Sequence, residues 1–86
     1  MFNIIERYMN KLTKDDVNNF ARKNNVFLNE EELDFTYAFV KKNWQTVIAN
    51  PNTLNLDRYQ DKFTEENLVK IKKLFKEYSI RYKNYL

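Results

Sequence analysis

Asn29-Glu30-Glu31-Glu32-Leu33-Asp34-Phe35-Thr36-Tyr37-Ala38-Phe39-Val40-Lys41-Lys42-Asn43-Trp44-Gln45-Thr46-Val47-Ile48-Ala49 reads as a single helix that is greasy on two sides. Leu33, Tyr37, Val40, Trp44, Val47 and Ile48 fall on one stripe at three-to-four spacing. Phe35, Ala38 and Phe39 widen that stripe, and the polar side shrinks to a narrow line near Asp34, Lys41 and Gln45. A surface helix needs one apolar stripe; one this broad needs neighbours on more than one side. The segment is therefore expected to be the central third helix of a helical domain, with Trp44 at the heart of a shared apolar spine.

The start of this helix repeats elsewhere. Leu28-Asn29-Glu30-Glu31-Glu32-Leu33 has counterparts in Leu12-Thr13-Lys14-Asp15-Asp16-Val17, Leu54-Asn55-Leu56-Asp57-Arg58-Tyr59 and Phe63-Thr64-Glu65-Glu66-Asn67-Leu68. In each, a Thr or Asn side chain can accept from the unsatisfied N–H groups of a first helical turn. Acids follow at the positive end of the helix dipole. Apolar residues flank the phrase at the spacing of a hydrophobic staple. Together with an N-terminal helix over about 2–11, these starts give an all-α architecture: a compact array of four to five short helices in a single domain, 1–86. The second helix follows Thr13 and ends at Asn24-Asn25, where Asn serves for a left-handed helix end in a chain without glycine. Val26-Phe27-Leu28 is expected to cross between helices with its side chains in the core. Asn50-Pro51-Asn52 breaks the chain. Over 56–62 a short helix fits, with Leu54, Tyr59 and Phe63 inward; α, 3₁₀ or loose turn remain open for it. The long C-terminal helix starts after Thr64, with the seam Leu68, Ile71, Phe75, Tyr78, Tyr82 and Tyr85.

Composition excludes much chemistry. The 86 residues contain no Cys, no His and no Gly. Disulfides, thiolate catalysis and Cys- or His-based metal sites are absent, as are the commonest general base and glycine-rich phosphate loops. Ser79 is the one serine and has no histidine to activate it. The expectation is a protein that is not an enzyme, with no catalytic residues, no cofactor and no metal. The acids before each helix are explained by the dipole, and Asp57 with Asp61 supplies too few oxygens for calcium. No apolar run is long enough for a membrane span, and the start does not read as a secretory signal, so a cytoplasmic location is expected.

Charge is unevenly placed. Residues 1–64 carry nine basic and nine acidic side chains, so the net charge of +3 lies in the last helix. There Lys70, Lys72, Lys73, Lys76, Arg81 and Lys83 stand against Glu65, Glu66 and Glu77. Such a basic amphipathic helix suits an acidic protein, an anionic membrane surface or RNA, although lysine stems also cover core edges in ordinary domains. A helix–turn–helix in the second and third helices is disfavoured, because its reading helix would open on Glu30, Glu31, Glu32 and Asp34, facing phosphate.

The run Leu12-Thr13-Lys14-Asp15-Asp16-Val17, continued by Phe20-Ala21-Arg22-Lys23-Asn24-Asn25-Val26-Phe27-Leu28-Asn29-Glu30-Glu31, resembles the YqfT-like family, short Bacillales proteins without an established activity. The stretch Lys73-Leu74-Phe75-Lys76-Glu77-Tyr78 looks similar too, and the likeness would span nearly the whole chain. The region from Lys42-Asn43-Trp44 to Pro51 departs from the pattern, which has a glycine-containing turn there. The resemblance implies a small cytoplasmic bacterial protein and carries no functional residues.

The functional expectation is a protein–protein interaction module that uses the basic, tyrosine-rich C-terminal helix. Its candidate surface is Lys72, Lys76, Arg81, Tyr82, Lys83 and Tyr85. The partner would be an unidentified protein or a second copy, as monomer or homodimer. The alternative is a nucleic-acid-associated protein binding through the same lysines.

Overall fold

The structure, a computed structural model, describes residues 3–49 and 55–83. Expectations that fall on Phe2, the Asn50–Asn52 break, Leu54, Tyr85 and Leu86, and on the side chains of Ile48, Ser79, Tyr82 and Lys83, lie outside the described residues. Four α-helices and one 3₁₀ segment follow one another: α1 (Asn3–Asn10), α2 (Lys14–Lys23), α3 (Glu30–Ala49), the 3₁₀ segment (Leu56–Lys62) and α4 (Glu65–Lys83). The fold is all-α, as the capping phrases imply.

Each phrase works as a cap. The Asp16 N–H donates to Thr13 Oγ1 at 3.1 Å, and the Thr13 N–H returns the bond to Asp16 Oδ2 at 3.0 Å. Asn29 and Glu32 make the same reciprocal pair at 2.8 and 2.9 Å. Asp57 N–H donates to Asn55 Oδ1, and Asn67 N–H to Thr64 Oγ1. At the other end of α2, Asn25 takes φ 63°, the left-handed region. The Val26 N–H then reaches back to the Ala21 carbonyl at 2.8 Å, and the Asn25 N–H to that of Arg22 at 3.0 Å. This is a Schellman ending with Asn where glycine is usual, and its customary apolar contact is supplied by Ala21 and Val26, both buried in one cluster.

α3 is the axis. Its backbone lies close to α1, α2, α4 and the 3₁₀ segment; among the described residues, the other neighbouring pair is α4 with the 3₁₀ segment. The double-sided apolar pattern follows from this. Leu33, Tyr37, Val40 and Trp44 join Ile5, Met9, Leu12 and Val17 in a first cluster. Phe35 and Phe39 turn the other way, to a second cluster with Ala21, Val26, Leu56 and Ile71. There the Phe39 ring stacks on Phe75 at 5.9 Å and meets Tyr59 edge-on at 5.5 Å. Trp44 is buried, as expected of the spine. Val47, which the spacing assigns to the first stripe, packs on the second cluster.

Several placements differ from the sequence reading. Phe27 is 65% exposed, while Val26 is fully buried and Leu28 half-buried. Side chains of a non-helical link alternate in direction, so three consecutive apolar residues cannot all face inward. The sequence pattern sets Ile4 and Tyr8 beside the apolar face of the first helix; both are exposed. Lys41 is half-buried instead of solvated: its Nζ donates to the Met9 carbonyl at 2.8 Å and to that of Asn10 at 3.3 Å. It thereby satisfies the open carbonyl end of α1, where a cation is favoured. The 56–62 segment is 3₁₀, with a kink at Tyr59 (φ −113°, ψ 21°), and buries Leu56. At 20 residues, α3 is one longer than the described part of α4.

The most buried charged residue is Glu32, at 1% exposure. Its Oε1 accepts from the Asn29 N–H at 2.9 Å and from Asn67 Nδ2 at 2.9 Å, and its Oε2 accepts from the Thr64 N–H at 2.8 Å. Asn67 Nδ2 also donates to the Phe27 carbonyl at 3.0 Å. The carboxylate therefore lies at the positive ends of both α3 and α4 and satisfies donors from each. α3 and α4 then run in the same direction, since Glu32 meets Asn67 and, two turns on, Phe39 meets Phe75.

Candidate functional site

α4 places its residues by simple periodicity. Leu68, Ile71, Leu74, Phe75 and Tyr78 turn inward as buried or half-buried side chains. The outward face carries Val69, Lys72, Lys73, Lys76, Ile80 and Arg81, all exposed. Of the first four seam positions read from the sequence, Leu68, Ile71 and Phe75 pack on the second cluster. Tyr78 meets Phe20 edge-on at 4.8 Å, joining α4 to α2.

The candidate residues divide into distinct settings. Lys72 Nζ lies 2.7 Å from Asp57 Oδ1, an exposed pair that ties α4 to the 3₁₀ segment. Lys76 lies on the outer face, one turn further on. The Arg81 guanidinium sits over the Tyr78 ring, 4.7 Å from its centroid. That contact orients the charge at an exposed position without removing it from water. Lys83 closes α4, and its side chain, like that of Tyr82 and all of Tyr85, lies outside the described residues. Lys70, at the edge of the face, is held inward by the Asn25 carbonyl at 3.0 Å and by Glu66 at 3.3 Å.

Two residues of this face were not singled out by the sequence reading. Val69 is 65% exposed and Ile80 is 56% exposed. They stand eleven positions apart, three turns or about 16 Å along the same line of the helix. Lys73 and Lys76 fall between them on that line. The signal was present in the spacing 69, 73, 76, 80, which runs parallel to the inward seam on the opposite side.

Elsewhere the acids are committed to structure. Asp34 pairs with Lys14 across α2 and α3; that hydrogen bond, more than any other influence, holds the Lys14 ammonium above the ordinary lysine pKa. Asp16 and Glu32 serve as caps, and Asp57 faces Lys72. Among the described residues no three potential metal ligands come together, and no helix is long and apolar enough to cross a membrane. No family model, curated protein or solved structure matches the chain.

Proposed function

We propose that the protein is a non-catalytic interaction module that docks an acidic protein surface on the outward face of α4. The observation that carries this reading is the line Val69–Lys73–Lys76–Ile80: two exposed aliphatic side chains bracket a basic stripe, on the helix that holds all the excess charge. Binding patches combine an apolar contact with a charged surround that steers the partner. Lysines alone would suit phosphate equally well, but valine and isoleucine gain nothing from a phosphate backbone. Arg81, over the Tyr78 ring, adds an exposed cation toward the C-terminal end of the helix, where the sequence supplies Tyr82, Lys83 and Tyr85. Lys72 contributes charge at the edge while holding Asp57.

The test compares wild type with Val69→Ser/Ile80→Ser and with Tyr82→Ala/Tyr85→Ala. Captured partners from the source cell are identified and their affinity measured, with the solution mass read by light scattering. A drop of about tenfold or more in both double variants, with folding intact by circular dichroism, supports the reading. Unchanged partner binding and unchanged mass in both variants overturn it. RNA binding that falls steeply with salt, unaffected by Val69→Ser/Ile80→Ser, would install the nucleic-acid alternative in its place.

A further inference from the structure

The exposed apolar groups of α4 form a line and not a disc. Val69, Lys73, Lys76 and Ile80 are spaced four, three and four positions apart, which keeps them within about 40° of one line along the helix. Val69 and Ile80 stand exposed at its two ends. The positions beside the line, Glu65, Glu66, Lys72 and Glu77, are charged and exposed. The apolar contact offered is therefore one side chain wide and three turns long. A broad flat partner would also cover the flanking charges and strip their water. What covers a line is a rod laid along it.

Two kinds of element are rod-shaped, and they differ in register. Val69 and Ile80 are eleven residues apart, about 16 Å along the axis. In a β-strand that distance is about five residues. Five is odd, so two strand side chains at that separation point to opposite faces, and only one of them meets α4. In a helix the same distance is again three turns, and both side chains return to one line. The order four, three, four also reads the same in either chain direction.

A second copy of this chain does not fit. A two-fold pair presents the same face twice. Antiparallel copies would set Lys73 of each against Lys76 of the other, and parallel copies would set each lysine against its twin. Like charges so placed oppose association; the centre of the line calls for carboxylates.

We propose that the occupant is an acidic amphipathic helix of another protein, with two apolar side chains eleven positions apart and carboxylates four and seven positions after the first. Its apolar pair packs on Val69 and Ile80, and its carboxylates face Lys73 and Lys76. This rests on the outward face of α4 being the docking surface, and adds the shape and charge order of the partner.

The test titrates the isotope-labelled full-length protein with three synthetic peptides, each to about 1 mM, following amide shifts by NMR. The first is a stapled helix with leucines eleven positions apart and glutamates four and seven positions after the first leucine. The second replaces those glutamates by lysines. The third is an extended peptide with leucines four positions apart among glutamates. Saturable binding of the first is expected, with shifts centred on residues 69–80 and an affinity about tenfold or more above that of the second. Lys73→Glu/Lys76→Glu, on the solvent side of α4, should reverse the preference, losing the glutamate helix and taking the lysine helix. No saturable binding of the glutamate helix, no reversal in the charge variant, or tighter binding of the extended peptide overturns the proposal. Self-association that Val69→Ser/Ile80→Ser abolishes gives the face to a second copy and overturns it too. If the glutamate helix fails while a cellular partner still depends on Val69 and Ile80, the docking face stands and the helical partner falls; if neither binds, both fall.

Discussion

Glu32 shows how one side chain can carry two roles that its sequence position only half declares. As the third residue after Asn29 it completes a capping box, and that much follows from spacing. Its second role, accepting from Thr64 and Asn67, joins residues 32 and 35 positions apart and has no local signature. A buried carboxylate is tolerated when donors and aligned dipoles replace water, and here three N–H groups converge on it from two helix starts. Glu32→Gln preserves the size but turns one acceptor into a donor, which must then face a donor. The expected loss is about 2–4 kcal/mol, read as a lower urea midpoint with an unchanged slope. Glu32→Gln combined with Asn67→Ala should cost less than the sum of the two single changes, because both act on one network.

At the scale of elements, starts and stops were the most legible part of the chain. Thr13, Asn29, Asn55 and Thr64 were readable as caps because a cap is a property of four or five consecutive residues. The stop at Asn24-Asn25 was readable for the same reason, and Asn25 adopts the left-handed state there. Asn25→Gly should leave stability within a few tenths of a kcal/mol, whereas Asn25→Ala should lose about 1 kcal/mol; thermal melts of the two variants check this. What could not be read locally was direction. Phe27 lies outward, Leu56 inward and Val47 on the second cluster, because each depends on which element passes nearby. Lys41 looked like a solvated residue until α1 was laid across it. On α4, the outward line from Val69 to Ile80 was spelled out in the sequence but overshadowed by the aromatic seam behind it.

For the molecule as a whole, the division into two clusters about one axis matters more than any single helix. The second cluster unites α2, α3, α4 and the 3₁₀ segment through Phe39 and its ring neighbours. The first depends on α1 for Ile5 and Met9. α1 has eight residues, well below the length at which a helix holds its shape unaided. Its backbone comes near α3 and, among the described residues, near no other element. What fastens it is the Ile5–Met9 face and the Lys41 ammonium on its last carbonyls.

It follows that α1 should behave as a separately opening unit, a foldon of lower free energy than the rest. In native-state hydrogen–deuterium exchange its amides should trade protons well before those of α3 and α4. Lys41→Met should quicken that trade by about tenfold in α1 while leaving α4 unchanged, and simultaneous exchange of both helices would count against the division. Because Tyr8 and Met9 border the partly open space between the two clusters, each such excursion of α1 would widen it. A fastening of one ammonium on two carbonyls would then serve as the latch on a door, setting how often the interior meets solvent.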